Sequence, residues 1–243
     1  THGLKRIKMK KVILASIIAA TSLMAASDKQ IEDFYSQMVD SSVKVKVADR
    51  HKVAGDIEAV VVKLSKDGNS QDEIVFTKGD FIFPDVIDLK EQKSYLAEVK
   101  KEVIAKGISK IYKDEDKANI IVLGSDPKKP TIIMFSDPEC PYCRAELAKI
   151  ETTLKDSNVE IVLTPVHDIS SLQKSSLIYK DAKAAKSDSD KVKILRKYYA
   201  EDYNVDDKSV SKDDVAKIDN LRKKYFAAGV RSVPFIVNKN DLK

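Results

Sequence analysis

The stretch TIIMFSDPECPYC, residues 131–143, decides the fold of this chain. Its first six residues are mostly apolar or β-branched and predict a short strand, and the segment after it has Leu147, Ile150 and Leu154 at helical spacing. An Asp-Pro-Glu turn separates the two. The Cys-Pro-Tyr-Cys sequence is therefore predicted to lie at a strand-to-helix junction, with both cysteines at the start of the helix.

Cys140 and Cys143 are the only cysteines among the 243 residues. A disulfide closed over two intervening residues removes almost no chain entropy, so this pair is better suited to reaction than to structural support. Proline fits the first helical position because it has no N–H to lose, and Pro141 therefore places Cys140 at the N-cap and Cys143 one turn inside the helix.

This placement assigns the two thiols different catalytic roles. We expect Cys140 to be the exposed nucleophile, because the helix N-terminus and the nearby Arg144 favour its thiolate, whereas Glu139 opposes it. We expect Cys143 to attack the mixed disulfide and release the substrate.

The alternative for any Cys-x-x-Cys pair is half of a zinc site. A structural zinc ion needs four Cys or His ligands, and the candidates that remain are His2, His51 and His167, none of them at ligand spacing. We therefore predict no metal, and we expect the histidines to be ordinary surface or loop residues.

A second motif, GVRSVPFIV at residues 229–237, places a proline just before a predicted strand. Taken alone it predicts an ordinary trans proline. Together with Cys-Pro-Tyr-Cys after a strand, however, it resembles the thioredoxin-fold disulfide oxidoreductases. The resemblance implies that Pro234 is cis and faces the active-site disulfide, that Val233 offers its backbone to the substrate chain, and that Pro141 and Tyr142 belong to the active-site motif.

Residues 1–26 have the pattern of a secretory signal peptide with a short upstream extension, residues 1–8. Lys8, Lys10 and Lys11 precede an apolar run, and small residues follow it, so cleavage is expected near Ala26. The alternative is an uncleaved anchor, although residues 12–26 are short and polar for a membrane span. We expect export to the periplasm, where a lone cysteine pair can be oxidised.

The formal net charge of +5 is due to this leader, which holds five Lys and Arg residues and no acid. The remaining chain is neutral overall, so nothing in its charge favours a nucleic-acid partner. With 43% hydrophobic and 33% charged residues it has the composition of an ordinary soluble globular protein of one or two domains.

The exported part is predicted to contain three segments. Residues 27–88 form a small α+β unit without chemically reactive residues, residues 89–115 form a linker helix, and residues 116–243 form the catalytic domain. In the first segment we predict a helix at 28–38, strands at 43–47, 57–64 and 73–76, and a hairpin turn at 67–70. The catalytic domain has the predicted order β, β, α, β, helical insertion, α, β.

This layout resembles the periplasmic disulfide isomerases of the DsbC/DsbG type over essentially the whole exported chain. The resemblance implies an α+β fold with a cystatin-like N-terminal dimerisation domain, a linker helix, and a C-terminal thioredoxin fold with a helical insertion. It also implies a homodimer whose cleft receives misfolded or reduced exported proteins, a membrane redox partner, and no cofactor.

Two features depart from that family. Val233 stands where these isomerases usually carry Thr and where DsbA-type oxidases carry Val. The sequence stops at Lys243, before the further strand and helix of a thioredoxin fold, so we expect a truncated C-terminus. Two alternatives to an isomerase therefore stay open: a dimeric DsbA-like oxidase, and a periplasmic chaperone or binding module for unfolded proteins.

Overall fold

The computed structural model describes residues 25–242, and the chain divides after Val86 into two compact units. The predicted signal peptide, residues 1–26, lies outside the described residues except for its last two. Within the described range, no helix has the length and apolar character that crossing a membrane requires.

The first unit is one helix packed on a four-stranded antiparallel sheet. Its elements are α1 (Asp28–Met38), β1 (Lys44–Ala54), β2 (Ile57–Lys66), β3 (Asn69–Lys78) and β4 (Phe81–Phe83), with the strands in the order β1-β2-β3-β4. A capping box starts α1, because the Ser27 hydroxyl accepts the N–H of Gln30 and the Gln30 side chain accepts the N–H of Ser27. The predicted bounds of this helix are confirmed, and Ile31 buries its apolar face against the sheet.

Two tight turns set the strand lengths of this sheet. Asp67 and Gly68 have φ angles of 50° and 79°, and a two-residue turn with both φ angles positive matches the twist of the strands. The predicted hairpin is confirmed, although its strands run further than predicted. A second two-residue turn at Gly55, with φ 53°, joins β1 to β2 and was not predicted from the sequence.

The second unit opens with a small hairpin, β5 (Ile87–Asp88) and β6 (Lys93–Ser94), followed by helix α2 (Tyr95–Tyr112). The predicted linker helix, residues 89–115, is therefore shorter at both ends. Its first residues form a turn because the Asp88 carboxylate accepts the N–H groups of Lys90 and Glu91, each at 2.9 Å, which competes with helix formation. The Ser94 hydroxyl then caps α2 by accepting the N–H of Ala97.

The rest of the second unit is a four-stranded sheet with helices on both faces. Its strands are β7 (Ile121–Leu123), β8 (Thr131–Ser136), β9 (Asn158–Leu163) and β10 (Phe235–Asn238), in the order β10-β8-β9-β7. Its further helices are α3 (Pro141–Ala148), α4 (Ile150–Asp156), α5 (Ile169–Ala182), α6 (Asp188–Tyr199) and α7 (Lys212–Ala227). The predicted order of strands and helices is confirmed, and the predicted helix after the motif is broken at Lys149 into α3 and α4.

The central strand β8 is buried on both faces, which fixes the direction in which the motif leaves the sheet. Ile133 and Phe135 face a core that includes Ile108 of α2 and Tyr225 of α7. Met134 faces the opposite core, formed with α3 to α6. Strands β8 and β9 are parallel, so the loops that follow them meet at one edge of the sheet.

Gly107 marks the close approach of α2 to the end of α7. A Cβ atom at this position would lie 2.6 Å from the carbonyl oxygen of Ala228, which is backbone and cannot swing away. We therefore expect Gly107→Ala to lower the free energy of unfolding, because overpacking costs ~1–3 kcal/mol and exceeds the helix-propensity gain of ~1 kcal/mol.

Chemical denaturation measures this effect, with Lys110→Ala as the control on the exposed side of the same helix. The control should change the free energy of unfolding by no more than about 0.5 kcal/mol. A Gly107→Ala variant more stable than wild type would contradict the close packing of α2 on α7.

Candidate active site

The Cys-Pro-Tyr-Cys sequence lies at the C-terminal end of β8, where the chain turns into α3. Cys140 is the N-cap residue of α3, Pro141 occupies the first turn, and Cys143 lies one turn inside, so this part of the prediction is confirmed. The N–H of Cys140 donates to the carbonyl of Asp137 at 3.2 Å, and its carbonyl accepts the N–H of Arg144 at 3.0 Å. Both cysteines are free thiols.

The Cys140 side chain is covered by the loop before β10. Its Sγ lies 3.4 Å from the carbonyl oxygen of Val233, and the Val233–Pro234 peptide bond is cis. Only 4% of Cys140 is exposed, so the expectation of an exposed thiol is wrong, because the Val-Pro loop lies against it. The exposed residues of the motif are instead Pro141 and Tyr142, the latter at 73%.

The two charged neighbours of Cys140 bond to other groups. The Arg144 guanidinium donates to the carboxylate of Glu201 at 2.8 Å and to the carbonyl of Glu139 at 3.3 Å. The Glu139 carboxylate lies 3.2 Å from Nζ of Lys174, which is almost fully buried, and accepts the Ser170 hydroxyl at 2.9 Å. The charges that the sequence places beside the thiol are thus largely compensated by residues from the helical insertion.

A buried carboxylate, that of Asp137, holds the turn before the motif. Oδ1 accepts the N–H of Glu139 at 2.8 Å and the hydroxyl of Ser171, and Oδ2 accepts the N–H groups of Val166 and His167 at 2.7 and 3.1 Å. The Nδ1 atom of His167 lies 2.7 Å from Oδ2. Burial alone would raise the pKa of Asp137, but these hydrogen bonds outweigh it and hold the pKa below the usual range. The ionised side chain therefore ties the motif to the loop after β9 and to α5.

The second cysteine, Cys143, is fully buried in the core between the sheet and α6. The Ser136 side chain and the Asp137 backbone each act to lower the pKa of this thiol, and Ser136 Oγ accepts the Tyr199 hydroxyl at 2.8 Å. Burial, together with the neighbouring Cys140, raises the pKa of Cys143 to about 12 despite these two groups. Cys143 is therefore a protonated thiol at neutral pH.

This burial gives a testable difference in reactivity. In a Cys140→Ala variant, we expect the alkylation rate of Cys143 by iodoacetamide to keep rising with pH up to about 11, because its thiolate remains scarce below its raised pKa. The same variant unfolded in guanidinium should level off just above the ordinary thiol pKa of about 8.5. Equal profiles for the folded and unfolded protein would contradict the burial of Cys143.

Sequence reasoning found the motif and the Val-Pro loop but missed the polar residues around them. In the sequence, Asp137 has the character of a turn residue and Ser136 that of a strand end. Nothing in the sequence links Tyr199 to the motif. His167, expected to be an ordinary loop residue, contacts Asp137. Among residues 25–242, no group of three or more His, Cys, Asp or Glu side chains is arranged to hold a metal ion.

Comparison with known proteins finds similar solved structures at low sequence identity. No protein-family model matches the chain, and no curated protein matches it. The catalytic domain of ScsC from Proteus mirabilis is 18% identical, with a TM-score of 0.43 over 57% of this chain and 85% of its own. A thiol-disulfide exchange protein from Wolbachia pipientis, alpha-DsbA2, is 17% identical, with a TM-score of 0.40 over 58% of this chain and 88% of its own.

The fold assignment rests on a third solved structure, DsbG from Helicobacter pylori. It is 22% identical, with a TM-score of 0.50, and the match covers 86% of this chain and 99% of the DsbG chain. The predicted α+β class with a thioredoxin fold is therefore confirmed, and the chain is similar in fold to a DsbG protein over most of its length.

Proposed function

We propose that the protein is a thiol:disulfide oxidoreductase with Cys140 and Cys143 as its redox pair. The observation that carries the proposal is the arrangement of the two thiols: one at a helix N-terminus beneath a cis-proline loop, the other buried one turn behind it. The positive end of a helix favours a thiolate at the N-cap, which suits Cys140 to the role of nucleophile. The buried Cys143 is then the thiol that resolves the mixed disulfide.

The reaction has two exchange steps. The Cys140 thiolate attacks a substrate disulfide, forms a mixed disulfide and expels one substrate sulfur as a thiolate. The Cys143 sulfur then attacks Cys140, forms the Cys140–Cys143 disulfide and releases the second substrate sulfur. Two electrons pass from the protein to the substrate, and each step also runs in reverse.

Substrate binding at Val233 and Pro234 is the second part of the proposal. The Val233 carbonyl lies against the Cys140 sulfur, so a substrate chain bonded to this backbone would bring its own sulfur close to Cys140. Beside it, Tyr142 of the motif offers an exposed aromatic ring for apolar client segments. We take misfolded or reduced exported proteins as the clients, since the leader pattern of residues 1–26 favours the periplasm.

For the direction of catalysis we propose isomerisation or reduction of non-native disulfides, recharged by a membrane redox partner. Val233 favours the alternative, a DsbA-like oxidase. The test uses ribonuclease as the client, with wild type and Cys140→Ala as the catalysts. It compares the recovery of activity from scrambled ribonuclease with the oxidation of fully reduced ribonuclease. Recovery from the scrambled form alone supports isomerisation, and oxidation alone supports the oxidase. The chaperone alternative would be favoured by two results together. Wild type would show neither exchange activity, and Cys140→Ala would still prevent the aggregation of unfolded proteins.

We also propose that residues 27–88 assemble a homodimer. Strand β4 is an edge strand, and Phe81 and Phe83 on it are exposed, Phe81 at 67%. Met38 at the end of α1 is also exposed. An apolar edge strand in water favours pairing with another chain. Light scattering should give a dimer for wild type and a monomer for Phe81→Lys, with the exposed Lys110→Ala as control; a wild-type monomer would contradict this assembly.

A further inference from the structure

The resolving step poses a problem that the motif alone does not solve, and the inference that follows rests on the proposed function. Cys143 must become a thiolate to attack Cys140, yet it has no exposed surface. A buried anion without hydrogen-bond donors is strongly disfavoured. Some neighbouring group must therefore stabilise the negative charge on the sulfur.

The buried carboxylate of Asp137, the residue after Ser136, is not suited to act on this thiol. Its Oδ2 atom already accepts the N–H groups of Val166 and His167. Its Oδ1 atom accepts the N–H of Glu139 and the Ser171 hydroxyl. The His167 ring occupies the remaining space on Oδ2. Proton transfer from Cys143 to this group would require these hydrogen bonds to break.

The Ser136 hydroxyl is a better candidate for this donor, because its side chain acts to lower the pKa of Cys143. Ser136 and Tyr199 are both buried, and the Tyr199 hydroxyl donates to Ser136 Oγ at 2.8 Å. Because Tyr199 supplies the proton of that hydrogen bond, the proton of Ser136 itself is free to point at the Cys143 sulfur, which lies in the same buried cluster as Tyr199. A hydrogen bond to an ionised acceptor is about twice as strong as one between neutral groups.

We propose that Ser136 is a catalytic residue of the resolving step, whose hydroxyl donates to the Cys143 sulfur as its thiolate forms, and that Tyr199 is the positioning residue that orients this hydroxyl. In the step, the Cys143 sulfur bonds to the Cys140 sulfur, and the bond between Cys140 and the substrate sulfur breaks. The substrate sulfur leaves with the electron pair and takes up the proton that Cys143 has lost. The cysteine pair is oxidised, and the substrate sulfur is reduced.

Rapid mixing of the reduced protein with oxidised glutathione, followed by acid quenching and mass spectrometry, separates the two steps. The mixed disulfide with glutathione forms in the first step and disappears in the second. We expect Ser136→Ala to leave the first rate unchanged and to slow the second about tenfold or more, because the thiolate loses a charge-assisted donor.

Three variants serve as comparisons. Tyr199→Phe should slow the second step less than Ser136→Ala, and Ser136→Thr should restore most of the rate because it keeps a hydroxyl. Ser175→Ala removes a buried hydroxyl that bonds only to the Ser171 carbonyl, and it should have no effect. If Ser136→Ala does not fold, the role of Ser136 is tested by the rate at which Tyr199→Phe and Ser136→Thr resolve the mixed disulfide.

The outcomes distinguish this inference from the proposed function. A wild-type protein that forms no mixed disulfide with glutathione overturns the proposed function and this inference with it. A wild-type protein that forms and resolves the mixed disulfide, with Ser136→Ala and Tyr199→Phe resolving it as fast, overturns the role of Ser136 alone.

Discussion

Replacing Cys140 with alanine is expected to reduce thiol-disulfide exchange to the background rate, whereas Cys143→Ala is expected to stop the reaction at the mixed disulfide. Cys140 lies at the N-cap of α3, and its sulfur contacts the Val233 carbonyl of the predicted substrate-binding loop. Cys143 has no exposed surface to offer a client, and it follows Cys140 by one helical turn. The first variant lacks the attacking group, and the second lacks the group that releases the substrate.

Overall activity is measured as the reduction of insulin by dithiothreitol. The mixed disulfide is measured by mass spectrometry of the intact protein after exposure to a disulfide-containing client. The Cys143→Ala protein should gain the mass of one client chain, which dithiothreitol removes. Ser175→Ala serves as the control for a buried substitution away from the thiols. Trapping of clients by Cys143 in the Cys140→Ala variant would reverse the two roles.

The second large effect is expected at Asp137, whose replacement by asparagine should lower the free energy of unfolding by ~3 kcal/mol or more. The carboxylate accepts hydrogen bonds from Glu139, Val166, His167 and Ser171 in a fully buried site. An asparagine amide would direct N–H groups at other N–H groups and leave them unsatisfied. Urea denaturation measures the loss, with the neighbouring exposed Asp168→Asn as the control.

The effect of Asp137 also has a defined pH dependence. Folding lowers its pKa, so its ionised form stabilises the protein at pH values above the ~3.9 of an unfolded aspartate. This contribution is lost as the pH falls through the lower pKa of the folded state. The stability difference between wild type and Asp137→Asn should therefore narrow below about pH 4. A constant difference from pH 7 to pH 3 would contradict the ionised, hydrogen-bonded state of Asp137.

The sequence was sufficient to predict the features that depend on local pattern. The apolar run before the motif and the proline after Cys140 predicted a strand followed by a helix with Cys140 at its N-cap, which the structure confirms. The Asp67-Gly68 turn is similarly local, because two adjacent residues with positive φ angles define it. The bounds of α1 followed from its apolar spacing, and the structure adds Ser27 as its N-cap.

The features that sequence missed depend on contacts between distant segments. Cys140 was expected to be exposed, but the loop at Val233 covers it from 93 residues further along the chain. Tyr199 reaches Ser136 across 63 residues, and Ser171 reaches Asp137 across 34. The start of α2 was placed too early because the side-chain hydrogen bonds of Asp88, which form the turn, leave no trace in the hydrophobic periodicity.

The central claim, that Cys140 and Cys143 form a reversible redox pair, is tested most directly by a redox titration. The protein is equilibrated in glutathione buffers of increasing oxidised fraction, quenched with acid and alkylated, and its mass is measured. The account predicts one two-electron transition between a state with two alkylated thiols and a state with none, the second containing a Cys140–Cys143 disulfide within one chain. Two thiols that stay alkylatable at every buffer ratio, or a disulfide that forms only between chains, would contradict it.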